Sequence, residues 1–307
     1  MEKTLIFGHK NPDTDSITAS IIMSDIETKL GNDNVEAVKL GKINKETAYV
    51  LNYFKINEPR TIENLDEVQN VILVDHNEFS QSAIGIENVT IKKVIDHHKI
   101  ENFRTADPVY YRAEPVGCTS TILYKLYLEN GLNIESKMAG LMLSAIISDT
   151  LLFKSPTCTK EDLNAAEKLA KIANLDVNKY GNDMLRAGTD LSDLTIAEMI
   201  NIDAKEFDIN SLKVEIAQIN TVDIESVLKR QEELKNEINN VIKNKGLDLF
   251  IFVITDILEN NSQIIALGNR AELVQKAYEI KLENDQAFLP GVVSRKKQIL
   301  PPLVKNA

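Results

Sequence analysis

Leu5-Ile6-Phe7-Gly8-His9-Lys10-Asn11-Pro12-Asp13-Thr14-Asp15 runs from an apolar stretch through a glycine into a polar turn, and a helical pattern follows at once. Leu5 to Gly8 reads as a buried strand. Ser16 to Leu30 reads as a helix stopped by Gly31. The same alternation continues outward. Val71 to Val74 and Val94-Ile95 read as two more buried strands, each bounded by polar residues as strands of a parallel sheet are. Thr119 to Asn130, stopped by Gly131, and Lys137 to Ile147 read as helices. The pattern predicts an α/β domain over residues 1–187, with a mostly parallel sheet and helices on both faces.

Residues 188–195 turn small and polar and are expected to form a linker. Residues 196–307 change character. Strands are expected over Lys213 to Ile219, Leu249 to Ile254 and Gln263 to Leu267, with a long charged helix over Ile224 to Asn244 and another over Ala271 to Ile280. This reads as a smaller α+β domain.

Composition narrows the function. The 307 residues are 43% hydrophobic and 26% charged, which is ordinary globular usage and enough for two cores. The polar residues come too early at the N-terminus for a secretory signal, and Leu249 to Ile254 is far too short to span a membrane. Cys118 and Cys158 are the only cysteines, so a reducing cytosol is expected. A net charge of -11 argues against a broad nucleic-acid surface. It leaves room for a small anion gripped by a few focused cations or metals.

Four segments end an apolar element with metal-type ligands: His9 to Asp15, Asp75-His76-Asn77, Asp96-His97-His98 and Ser148-Asp149. The first three follow strands, and ligands of open α/β sheets gather beyond the strands' carboxyl ends. All four histidines of the chain lie in these segments, so imidazole chemistry belongs to the first domain. Carboxylates and imidazoles without thiolate suit manganese, cobalt or magnesium rather than structural zinc, and imidazole favours manganese or cobalt. Asp13, Asp15, Asp75 and Asp149 carry four negative charges, which two divalent ions cancel. Each residue also has a plain reading. Asp15 or Ser16 can simply cap the following helix. His76, next to Asp75 on an extended chain, should point the other way, so orienting a ligand is favoured over being one. Asp96 can ligate a metal or orient a histidine, and the second role is favoured.

Asp96-His97-His98, with His9-x-Asn11-Pro12-Asp13-x-Asp15 upstream, resembles the DHH phosphoesterase superfamily. Within it the chain is similar to the family II inorganic pyrophosphatases nearly end to end. The likeness includes Tyr110-Tyr111-Arg112-Ala113-Glu114-Pro115-Val116-Gly117-Cys118-Thr119, Leu143 to Asp149, Asp203 to Phe207 and Val293 to Lys297. The resemblance implies one metal on His9, Asp13 and Asp75, and a second on Asp15, Asp75, His97 and Asp149. The implied cofactors are two Mn2+ per subunit, with Co2+ or Mg2+ as substitutes and further Mg2+ arriving with the substrate. His98, Asp13 and Asp75 form the implied catalytic set. His98, Lys205, Ser294, Arg295 and Lys296 would bind pyrophosphate. The resemblance also implies a homodimer paired through the first domain, and the 307 residues are too few for the regulatory nucleotide-binding insert that some members of the family carry, so no adenylate control is expected of this cytoplasmic chain.

The expected reaction is hydrolysis of pyrophosphate to two phosphates. Two metals would acidify a bridging water to hydroxide, and the linker would let the second domain close over the substrate. Arg295-Lys296-Lys297 would add cations to a site that metals leave near neutral. As a solvated surface triplet those residues would do nothing. An exopolyphosphatase or oligonucleotide phosphodiesterase is the alternative. Against it stand the absence of a Gly-Gly-Gly-His motif, of histidine after position 98 and of tryptophan.

Overall fold

The expected strand-helix alternation is realised. A computed structural model describes residues 3–307, and the chain divides into two units, Met1–Gly188 and Thr189–Ala307. The first unit runs β1 (Thr4–Phe7), α1 (Thr14–Lys29), β2 (Val35–Lys39), α2 (Lys45–Phe54), β3 (Arg60–Thr61), β4 (Asn70–Val74), β5 (Thr90–Asp96), β6 (Tyr110–Ala113), α3 (Thr119–Glu129), α4 (Ser136–Asp149), α5 (Lys160–Ala173) and α6 (Val177–Gly188). Its six strands are ordered β3-β2-β1-β4-β5-β6, and every pair is parallel.

The order reverses between β1 and β4. That is the switch point at which a crevice opens beyond the carboxyl ends of the strands. His9 follows β1 and Asp75 follows β4, so two of the candidate ligands flank the crevice. Side chains alternate across the sheet. Leu5, Phe7, Val71, Leu73 and Val94 pack with Ile62, Leu65 and Ile86 on one face, under irregular segments and two short 3-10 turns. α1 and α3 pack against the sheet, and α4 packs on both helices.

α1 is buried on nearly all sides, and its small residues Ser16, Thr18, Ala19 and Ser20 allow that close packing. Its first turn presses on Gly8, where an added Cβ would lie 2.1 Å from Ser16 Oγ and 2.8 Å from Ser16 Cα. Gly8→Ala is therefore expected to cost roughly 1–3 kcal/mol by overpacking. Urea unfolding should show a lower midpoint at unchanged slope.

The second unit comprises α7 (Ile196–Asn201), β7 (Ala204–Ile209), β8 (Leu212–Thr221), α8 (Ile224–Leu228), α9 (Gln231–Lys245), β9 (Leu249–Asp256), β10 (Asn261–Leu267), α10 (Glu272–Tyr278), β11 (Gln286–Pro290) and α11 (Leu300–Asn306). Its sheet is ordered β11-β10-β9-β8-β7, with β8 and β9 parallel and the other pairs antiparallel. β9 alternates Leu249, Ile251 and Val253 into one apolar core and Phe250, Phe252 and Ile254 into the other, so both faces are covered. The single helix expected over Ile224 to Asn244 is two, because the chain breaks at Lys229–Arg230. The helix expected from Ala271 ends at Tyr278, where Glu279 turns left-handed at φ 54°. No helix among the described residues is long and apolar enough to cross a membrane.

Candidate metal centre

The strand ends deliver their side chains to one place. His9 Nδ1 lies 2.8 Å from the Lys10 carbonyl and His97 Nδ1 lies 3.0 Å from the Val116 carbonyl. A carbonyl only accepts, so in the neutral ring each Nδ1 carries the proton and Nε2 is the nitrogen left to ligate. The two Nε2 atoms converge on Asp75. His9 Nε2 is 3.5 Å from Asp75 Oδ2, and His97 Nε2 is 3.5 Å from Asp75 Oδ1. Asp13 Oδ2 is 3.4 Å from His9 Nε2, and Asp149 Oδ2 is 3.9 Å from His97 Nε2.

The donor atoms of His9, Asp13 and Asp75 lie within 4.8 Å of one another, and so do those of Asp15, His97 and Asp149. Asp75, His97 and His98 form a third such group. The structure thus brings together all six residues named as metal ligands from the sequence, with Asp75 between the two halves.

The chemistry of the donors fits divalent ions. Gaps of 3.4–3.9 Å are long for hydrogen bonds. They are the separations found between ligands that each stand about 2.1 Å from a common ion. Asp75 Oδ2 is buried and has no hydrogen-bond partner. Leaving such an oxygen unpaired costs about 1–3 kcal/mol, more if it is charged, so a cation is its natural complement. Asp75 also sits at φ 58°, a left-handed conformation that non-glycine residues hold at a cost when a site demands it.

Electrostatics say the same. Burial, then the charge of Asp15, pushes Asp75 up to about 7. Burial, then Asp15 and Asp75, raises Asp149 well above the usual carboxylate range. Burial alone would lower His9, but Asp13 and Asp75 raise it to about 9. His97 is likewise raised to about 9, since Asp75 and Asp15 outweigh burial.

Asp13 serves two purposes. Oδ1 accepts the Ser16 N–H at 2.9 Å and caps α1, leaving Oδ2 for the cluster. Asp15 caps nothing on its own helix. Its Oδ2 accepts the Thr119 N–H at 2.8 Å and its Oδ1 the Ser120 hydroxyl at 2.7 Å. His98 stands at the rim, half exposed, with Nδ1 2.9 Å from Asp96 Oδ1. That bond is the main reason its pKa is raised. Asp96 is fully buried, and its other oxygen accepts from Asn77 Nδ2 at 2.6 Å. His76 turns away into the core, between the Val74 carbonyl and Ser82 Oγ, and burial lowers it to about 4.

Directly after Asp149 the backbone changes hand. Leu151, Leu152 and Phe153 take φ values of 47°, 52° and 68° in succession. Leu152 fills the space over Gly181, where a Cβ would lie 2.4 Å from Leu152 Cδ1.

In the second unit Ser294 caps a π-helical turn over Arg295–Ile299. Arg295 is buried. Its Nη2 donates to Asp203 Oδ1 at 2.8 Å, and its Nη1 donates to the carbonyls of Asp203 and, at 3.2 Å, Ile216. Ile216 is the register partner of Lys205, so Arg295 and Lys205 meet at the same stretch of β7 and β8. Lys205, Lys296 and Lys297 are exposed. The Arg295 fork is thus partly committed to holding its own unit together, which a reading of three adjacent cations did not show.

Sequence reasoning also passed over Glu46. Its Oε1 accepts from Thr14 Oγ1 at 2.6 Å and Ser148 Oγ at 2.5 Å, tying the start of α1 to the end of α4. Burial raises its carboxyl.

Comparison with known proteins agrees along the whole chain. Residues 3–146 match the DHH family N-terminal domain and residues 182–306 match the DHHA2 domain. The chain is 60% identical over 304 residues to the manganese-dependent inorganic pyrophosphatase of Bacillus subtilis (strain 168), covering 99% of this chain and 98% of that one. Identity and coverage are the same for a Brevibacillus brevis protein designated a probable manganese-dependent inorganic pyrophosphatase. A crystal structure from Methanococcus jannaschii, described as a putative family II inorganic pyrophosphatase, superposes with a TM-score of 0.62 at 40% identity and covers 99% of each chain.

Proposed function

The chain belongs to the manganese-dependent inorganic pyrophosphatases, and from that premise we propose that it hydrolyses pyrophosphate to two orthophosphates at the cluster centred on Asp75. One observation carries the reading: a buried carboxylate with an unpaired oxygen lies between two imidazoles whose Nε2 atoms are both free to ligate. His9, Asp13 and Asp75 would hold one manganese ion and Asp15, Asp75, His97 and Asp149 the other, with Asp75 shared. When bound, the ions would supply hydroxide at neutral pH from a water between them and draw charge from the phosphoryl oxygens.

The chain's own groups do the rest. The Lys10 and Val116 carbonyls keep His9 and His97 in the ligating tautomer. Asp96 orients His98 through Nδ1, so Nε2–H is the atom that can give a proton to the departing phosphate. Asp13 and Asp75 set the metal positions and are catalytic in that sense. Lys205, Ser294, Arg295 and Lys296 are assigned to the substrate's phosphate oxygens. Arg295 has Nε and one Nη2 hydrogen left for that purpose. The same reading carries a cytosolic homodimer paired through the first unit, and further magnesium entering with the substrate.

The test is phosphate release from pyrophosphate with manganese, then with excess chelator, with long polyphosphate and a dinucleotide as competing substrates. Metal-dependent release that favours pyrophosphate supports the reading, and absence of metal-dependent release ends it. Lys296→Ala should keep the manganese content and lower kcat/KM by roughly 10–100-fold, the worth of one charge-assisted contact. Loss of manganese in that variant would contradict the division of roles between the units.

A further inference from the structure

We infer that the first turn of α3 is the mould that sets Asp15 and Asp75 for the metals, with Thr119 and Ser120 as positioning residues and Asp162 as their anchor. This rests on the metal-dependent reading above and adds residues to it.

The first N–H groups of a helix have no partner within the helix, and the residue before it usually caps them. Here that residue is Cys118, whose side chain makes no capping bond. A carboxylate from α1 takes its place. Asp15 Oδ2 accepts the Thr119 N–H, and Oδ1 accepts the Ser120 hydroxyl. The two bonds grip both oxygens and so fix the plane of the carboxylate. Thr119 Oγ1 adds a third bond, to Asp75 Oδ1 at 3.0 Å, which turns the unpartnered Oδ2 toward His9. The positive end of α3 lowers the cost of two adjacent anions.

The turn is itself held. Asp162, fully buried near the start of α5, accepts four hydrogen bonds. Two come from Thr159, within its own capping box. The other two come from the Gly117 N–H at 2.9 Å and Thr121 Oγ1 at 2.6 Å, on either side of Thr119 and Ser120. A Cβ at position 117 would lie 2.8 Å from Asp162 Oδ2, so only glycine lets the carboxylate approach. One buried acid therefore starts two helices, and the second of them shapes the ligands.

Two variants of Thr119 separate positioning from packing. Thr119→Val keeps the shape and removes the hydroxyl, whereas Thr119→Ser keeps the hydroxyl and removes a methyl. Manganese binding to chelator-stripped protein should weaken about 10–100-fold in Thr119→Val, as for other partners of ligating groups, and within about threefold of wild type in Thr119→Ser. The activity of Thr119→Val should recover at saturating manganese. Calorimetric titration, metal content and thermal midpoints on the same samples give the answer. A packing role predicts the reverse order, with serine worse. That order, or wild-type affinity in Thr119→Val, would overturn the inference. If Thr119→Val does not fold, Ser120→Ala takes its place, and unchanged manganese affinity there overturns it equally. Failure of the wild type to bind manganese would instead remove the reading beneath.

Discussion

Asp75→Ala is expected to yield a folded protein that retains neither manganese ion and hydrolyses pyrophosphate more slowly by on the order of 10³-fold or more. Among the described residues Asp75 is the one carboxylate that faces both His9 and His97, so its removal should strip a ligand from each half of the centre. Changing a group that merely supports a ligand already costs about 10–100-fold, and a shared ligand should cost far more. The fold should survive because Asp75 contributes little to it. Its carboxyl is pushed up to about 7, and one oxygen has no partner. Asp75→Asn keeps an acceptor for Thr119 and tolerates the left-handed backbone, and it should fail in the same way. Metal analysis and thermal unfolding with and without manganese are the checks. Wild type should gain stability on adding manganese and neither variant should. Two ions per chain in Asp75→Ala would refute the shared-ligand assignment.

Manganese affinity should also fall steeply on acidification, by roughly tenfold per pH unit for each proton the metal displaces. In stripped protein His9 and His97 titrate near 9, so both are protonated at neutral pH. Ligation requires them neutral. Loading both ions should then release protons from the two imidazoles at pH 8 and more below pH 7, where Asp75 is protonated too, with Asp149, also raised by burial, adding to the release. Stability of the stripped protein follows the same shifts. The two raised histidines stabilise it fully below their ordinary 6.5 and lose that contribution as pH rises through about 9. Asp75, raised from 3.8, becomes a growing liability as pH climbs through 7. Stripped protein should therefore be less stable at pH 9 than at pH 6, and manganese should reverse the order. Titrations in buffers of different ionisation enthalpy count the protons. Binding that releases none would contradict the ligand set.

What could be read in advance follows from physical range. β1, β4, β9 and the last three residues of β5 are buried on both faces, so their apolar runs stand out. β2 and β6 lie near or at an edge of the sheet and are half exposed, and β3 is two residues long, so none carries such a run. The break at Lys229–Arg230 has no proline or glycine to announce it. The six candidate ligands were legible because chemistry-bearing side chains directly follow apolar elements. Thr119 and Ser120 were not, because a hydroxyl at a helix start looks like a local cap. Only the tertiary fold reveals that these hydroxyls reach across, Ser120 to Asp15 of α1 and Thr119 to Asp75 beyond β4.

The left-handed run after Asp149 bears on how this protein can drift. Three side-chain-bearing residues in that basin store roughly 3–6 kcal/mol together, which their own packing must return. Trimming a side chain there gives up the anchorage and keeps the backbone cost, while glycine surrenders both at once. The usual rank of alanine above glycine is thereby inverted for three positions beside a candidate metal ligand. Heritable variation in that stretch is sorted by a rule opposite to the one governing the helix that leads into it.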